Sequence, residues 1–139
     1  MNAYINLYTG NPTAAGTDGT AVSTGDTEAS PVSVTLNAAN AESAIVKCAL
    51  RCESGYKTSG DTILTFTGSS TAKWQVAADN NYADATAAAA ATFATSLTIS
   101  TVIDATNTIV WLKALSSADE SPANDTGTDL QVACTVEKV

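Results

Sequence analysis

The chain has 139 residues, with six Lys or Arg, 14 Asp or Glu and no histidine, giving a formal net charge of −8. One domain usually takes about 100–200 residues, so a single unit over residues 1–139 is expected, with no room for a second. The missing histidine excludes Ser-His-Asp and Cys-His catalysis, His-ligated zinc and imidazole pH switches. Six scattered bases cannot form the Lys/Arg stripe that nucleic-acid binding needs.

Alanine and threonine dominate, beside two Trp, two Phe, four Tyr and one Met. Threonine is β-branched and fits a pleated, half-exposed surface, so the composition favours strands over helices. The first strand is expected where Ile5 and Leu7 alternate with Tyr4, Asn6 and Tyr8, ending at Gly10-Asn11-Pro12. Residues 11–31 then read as a long polar loop or arm, rich in Gly, Thr and Asp, with Val22 its one sizeable apolar side chain. A loop that long is either mobile or held by a partner.

A second strand is expected at Val32–Leu36, closed by Asn37-Ala38-Ala39-Asn40. The clearest run follows, with Ala44, Val46, Cys48, Leu50 and Cys52 on one face and Ile45, Lys47, Ala49, Arg51 and Glu53 on the other. Ser54–Asp61 reads as a turn, Thr62–Thr67 as a strand, Gly68-Ser69-Ser70 as a turn, and Lys73–Val76 as a strand with Trp74 and Val76 on one face. The stretch from Asp79 to Ala91 is alanine-rich but lacks an apolar stripe, so a loop with one helical turn is expected. Leu97, Ile99 and Thr101 mark another strand, Ile109–Leu115 one buried on both faces, and Leu130, Val132, Cys134 and Val136 the last, after a polar loop at Ser116–Asp129.

Seven or eight short strands with regular turn signals predict an all-β fold, an immunoglobulin-like antiparallel sandwich with Trp74 or Trp111 filling the inter-sheet core. A closed barrel is the alternative architecture. The start of the sequence has no basic and apolar leader pattern, and no apolar run approaches the roughly 20 residues that cross a bilayer, so a soluble chain is expected.

The three cysteines are Cys48, Cys52 and Cys134. Cys48 and Cys52 are four strand positions apart, about 13 Å, too far to bridge each other. Buried thiols are expected, with a bridge from either to Cys134 left open. The spacing also resembles half a metal site, but the ligand count fails without a second pair or a histidine.

Acids are the plentiful reactive groups. Asp79, Asp84, Asp119, Glu120, Asp125 and Asp129 all fall in loop-like contexts, where solvation is expected instead of the raised pKa that a glycosidase acid needs. Asp79-Asn80-Asn81 with Asp84 lacks the spacing and glycine of an EF-hand calcium loop. Gly16-Thr17-Asp18-Gly19 matches neither a dinucleotide fingerprint nor a P-loop. Tyr4, Tyr8, Tyr56 and Tyr82 are the residues from which a sugar-binding platform would be built, though packing is the commoner use of such tyrosines. No catalytic, cofactor or metal residue is assigned.

Four segments carry a resemblance: Tyr8–Thr20, Lys47–Tyr56, Lys73-Trp74-Gln75, and Trp111–Ala114 leading to Ser121–Thr126. Together they look like small immunoglobulin-like virion proteins encoded by phages and prophages of Gram-positive bacteria. The resemblance implies a non-enzymatic capsid-decoration, neck or tail component, assembled in the host cytoplasm, that binds capsid or tail subunits and forms homo-oligomers, with no cofactor, nucleic acid or membrane partner. Unpaired thiols suit such a compartment, and acidity suits an outer particle surface. A carbohydrate- or host-surface-binding module is the alternative function.

Overall fold

The computed structural model describes residues 4–22, 32–37, 40–118, 120 and 127–139. Eight strands form among them: β1 Ile5–Thr9, β2 Thr20–Val22, β3 Ser43–Cys52, β4 Tyr56–Gly68, β5 Trp74–Ala78, β6 Ser96–Ile99, β7 Thr108–Leu115 and β8 Thr128–Lys138. A single-turn helix, α1, spans Ala85–Ala88. One sheet has the order β2-β1-β3-β7-β5 and the other β6-β4-β8, and every pairing is antiparallel. The chain is therefore an all-β sandwich of two sheets, not a closed barrel.

The period-2 pattern of β3 accounts for its central place. Cys48, Leu50 and Cys52 face inward and are buried with Ile5 and Leu7 of β1, Val110 and Leu112 of β7, and Leu64 of β4. Burying apolar area contributes about 25 cal/mol per Å², and here two facing sheets remove it from water. Ile103, fully buried in the loop before β7, plugs one end. Its carbonyl accepts from Thr58 N at 2.8 Å and its amide donates to the Thr58 hydroxyl at 2.8 Å. The next carbonyl, that of Asp104, accepts from Cys52 N at 2.7 Å. One loop thus ties β3 of the first sheet to β4 of the second.

A second core lies on the outer side of the five-stranded sheet. Ala49, Ile109 and Trp111 point away from the sandwich interior and are covered by Ala88 of α1, with Tyr8, Ile45, Tyr82 and Phe93 around them. Trp111 is only 1% exposed. Its indole N–H donates to Asp79 Oδ1 at 2.9 Å, and the ring meets Tyr82 edge-on at 6.3 Å between centroids. Asp84 caps α1, its Oδ1 accepting from Ala87 N at 2.8 Å. A single helical turn is too short to persist alone. Asp79 and the aromatic contacts hold the covering stretch onto the sheet.

Several expectations are corrected. Of the two tryptophans expected as alternatives for the inter-sheet core, Trp74 packs there as expected, half-buried and stacked at 6.4 Å on Phe66, while Trp111 fills the outer core because its neighbours Val110 and Leu112 occupy the inward positions. Val32–Leu36 forms no strand. Its apolar side chains alternate inward, and Val32 packs on the core, but no ladder partner engages it among the described residues. Periodicity reports which side is buried, not whether hydrogen bonds form. The turn expected at Ser54–Asp61 shrinks to Ser54-Gly55, and β4 runs on through a bulge between Ser59 and Ile63. There Gly60, at φ +75°, takes a conformation that is a usual turn signal. At the far end of β4, Gly68 has φ +116° and a Cβ would meet Gly127 O at 2.0 Å, so only glycine fits where the two chain segments touch.

Trp111→Phe removes the bond to Asp79 while keeping an aromatic ring in place. It is expected to cost about 1–3 kcal/mol in urea unfolding, and more than Trp74→Phe at its half-buried site. Equal losses would contradict the outer-core assignment.

Candidate functional site

The first half of the expected 11–31 arm is held by its own chain. Asn107, 4% exposed, donates from Nδ2 to Thr13 O at 3.0 Å, Asp18 O at 3.1 Å and Asp18 Oδ1 at 2.9 Å. Arg51 Nη1 donates to Asn107 Oδ1 at 2.9 Å and Asp18 O at 3.1 Å. The Arg51 guanidinium lies 3.8 Å from the Tyr8 ring centre. Backbone bonds Ala15 N to Asn107 O and Asn107 N to Gly16 O complete the staple. Further along, Thr20–Val22 becomes β2, while residues 23–31 lie outside the described residues. Asn107 and Arg51 were not legible as partners of this loop, since they are distant in sequence; the local signal was Asp18 five residues after Thr13.

The acids are separated by the fold. Asp79 accepts from Trp111 and from Tyr82 N, Asp84 caps α1, Glu120 pairs with Lys73, and Asp129 stands exposed on β8 opposite Thr67. Asp119 and Asp125 lie outside the described residues. Among the described residues no group of three or more His, Cys, Asp or Glu is placed to hold a metal ion. The tyrosines are likewise spread out. Tyr8 lies under Arg51 and Tyr82 packs on Trp111, whereas Tyr4 and Tyr56 stack on each other at 4.4 Å. A stacked pair turns one face of each ring away from any ligand.

None of the three cysteines is in a disulfide. Burial pushes the Cys48 thiol up to about 12, and burial, then the neighbouring Cys134 and Asp104, push Cys52 up to about 11. Such thiols are poor nucleophiles at neutral pH. Cys52 Sγ donates to Ile103 O at 3.4 Å, which makes it part of the loop staple.

Two surface features remain. The outward positions of β1, β3, β5 and β7 carry three of the six bases and no acid. Each base lies over an aromatic ring: Arg51 over Tyr8, Lys47 over Trp111 at 6.0 Å, and Lys113 over Phe93 at 5.3 Å. These contacts hold long side chains against the outer core, the stems covering apolar surface.

The second feature is the set of sheet edges. β2 has three residues and β6 four, too short to template much pairing. The outer edge of β5 is bridged at its middle by Ala94, which exchanges both backbone bonds with Val76 at 2.8 and 3.0 Å. β8 differs: it has 11 residues, and among the described residues only β4 pairs with it. Its middle, Leu130–Val136, is an uncharged run without Pro or Gly. Val132 is buried, but Leu130, Cys134 and Val136 are only half-buried, so the core thins towards this edge. Nothing in the sequence marked β8 as an edge, because edge position follows from strand order and not from periodicity.

No family model matches the chain, and no curated protein and no solved structure matches it.

Asp18 and Asp104 supply a pH dependence. The Thr13 amide, then the Thr13 hydroxyl, hold Asp18 below its ordinary 3.8, while the Thr106 hydroxyl and amide do the same for Asp104. A depressed folded pKa contributes stability above the unfolded value and loses it as pH falls through the folded one. Urea-unfolding stability is therefore expected to drop from about pH 5 downward through the 3.8 region, and the Asp18→Asn, Asp104→Asn double variant is expected to show a shallower fall. An unchanged slope would contradict the assignment.

Proposed function

We propose that this chain is a non-enzymatic structural protein of a phage or prophage virion, a capsid-decoration, neck or tail component that works by binding neighbouring subunits. The observation that carries the reading is the outer edge of β8, a long uncharged strand with one side of its backbone unclaimed by any described strand. Backbone groups in that state are a template for pairing with another chain, and native proteins that need no such partner blunt their edges with charge, proline, bulges or shortness. β2 and β6 are short and β5 is bridged at Val76 by Ala94, whereas β8 is long and among the described residues only β4 pairs with it. The resemblance to immunoglobulin-like virion proteins read in Tyr8–Thr20, Lys47–Tyr56, Lys73-Trp74-Gln75 and Trp111–Ala114 leading to Ser121–Thr126 points the same way. An immunoglobulin-like topology is part of the proposal.

The acidic surface fits it as well, keeping an assembled outer layer away from packaged nucleic acid. Carbohydrate binding has weaker support, since the tyrosines form no common platform and Tyr4 and Tyr56 cover each other.

Particles purified by density gradient from a host carrying the gene test the proposal. Mass spectrometry is expected to find the chain banding with capsid and tail proteins at a fixed ratio. Recovery of the chain only from the particle-free fractions would overturn it.

A further inference from the structure

We propose that Cys52 and Cys134 are a redox clasp: when the folded chain meets an oxidant of the small-disulfide class, a disulfide closes between them and joins β3 of one sheet to β8 of the other. The clasp is independent of the assembly reading.

The fold brings the two thiols to one place. β6 packs beside β5, so the order β6-β4-β8 runs across β5-β7-β3-β1 and sets β8 over β3 and β1. Along the strands the levels match as well. Cys52 Sγ donates to Ile103 O at 3.4 Å, the same carbonyl accepts from Thr58 N at 2.8 Å, and Thr58 stands opposite Val136. Cys134 is the inward position of β8 next to Val136, and it packs on the core cluster that contains Cys52 and its ladder partner Ile5. Burial first and then Cys134 raise the Cys52 thiol, whereas burial alone raises Cys48. A neighbouring charge acts in that way at close range.

Facing sheets lie about 10 Å apart, and a disulfide joins Cα atoms only about 4.4–6.8 Å apart. At this end of the sandwich the sheets are drawn together. Glu53-Ser54-Gly55 carry the chain from β3 straight into β4, Tyr56 N donates to Glu53 O at 3.0 Å, and the Ile103 carbonyl holds both sheets. Opposite Cys134, β4 slips register between Ser59 and Ile63, and a bulge of this kind bends its strand. Cys48 lies about 13 Å further along β3, away from this end.

The exchange balances in two steps. Cys134 is half-buried and Cys52 only 2% exposed, so Cys134 meets the oxidant first. With oxidised glutathione, the Cys134 thiolate attacks one sulfur and one glutathione thiolate leaves. Cys52 then gives its proton to water and attacks Cys134 Sγ, releasing the second glutathione. Two protein thiols are oxidised to one disulfide, and the small disulfide is reduced to two thiols. A reducing compartment keeps both protein thiols, and an oxidising one closes the clasp.

Peptide mapping of the full chain tests the proposal. The folded chain is incubated with oxidised glutathione, then unfolded, alkylated and cut with trypsin, which cleaves after Lys47, Arg51, Lys57, Lys113 and Lys138 and so separates the three cysteines. Peptide 52–57 is expected joined to 114–138, lighter by two hydrogens than the pair, with Cys48 alkylated in peptide 48–51. The linked species is expected at the 14.1 kDa of one chain. Its urea midpoint is expected to rise by about 1–2 M and to return on reduction, since the closed loop restrains the unfolded chain. Cys48→Ala is expected to leave the linkage intact, and Cys52→Ser to leave Cys134 as a mixed disulfide with glutathione. Linkage of 114–138 to 48–51, linkage only between two chains, a wild type that stops at the mixed disulfide, or one that keeps all its thiols would overturn the clasp. None of those results bears on whether the chain bands with particles, so the two proposals fail separately.

Discussion

The rest of the structure depends on one constraint: β3 and β7, the paired strands at the middle of the larger sheet, bury apolar side chains on both faces. Cys48, Leu50, Val110 and Leu112 point one way, and Ala49, Ile109 and Trp111 the other. A sheet of that kind must be covered twice. The three-stranded sheet provides the inner cover, and the short stretch around α1 provides the outer one, anchored by the Trp111–Asp79 bond. The outer cover has little standing alone, since α1 is a single turn, and the four-residue β6 is held by its pairing with β4. Their order follows from the surface they bury.

The same fold fixes what the charged and polar side chains of the described surface hold in place. Polar groups that would read as reactive in a sequence are consumed in holding loops: Asp18 and Asn107 staple the Thr13–Asp18 turn, Asp79 secures the outer core, Asp84 caps α1, and Asp104 shapes the turn beside the Ile103 plug. The bases on the outer face are laid against aromatic rings. The three-stranded sheet is narrower than the five-stranded one, and its β8 edge is neither shortened nor covered by another described strand. Assembly through backbone pairing needs no special side chains, which agrees with a composition rich in Thr, Ala and Val and poor in reactive groups.

Much of the sandwich was legible because its strands follow a strict period of 2. The inward set of β3, the doubly buried β7 and the inward Val132 of β8 were readable from alternation alone, as was the single helical turn in the alanine run. Other features were not readable, for identifiable reasons. Trp111 follows the outward phase of β7, but only the existence of a second core gives that phase a buried destination. Val32–Leu36 has a strand's alternation without a ladder among the described residues. Ser54–Asp61 contains the glycines of a turn, yet Gly60 serves a bulge within one long strand. The candidate site was the least legible part, because an edge is a property of strand order, and the Arg51–Asn107–Asp18 network joins residues 33 to 89 positions apart.

The β3–β7 pair is the spine to which everything else is fitted. Native-state hydrogen exchange, followed amide by amide, measures it directly. The amides bonded between β3 and β7, from Val46 to Leu50 and from Val110 to Leu112, are expected to exchange last, through global unfolding, after those between β4 and β8. Amides of the β4–β8 ladder that outlast the β3–β7 set would contradict it.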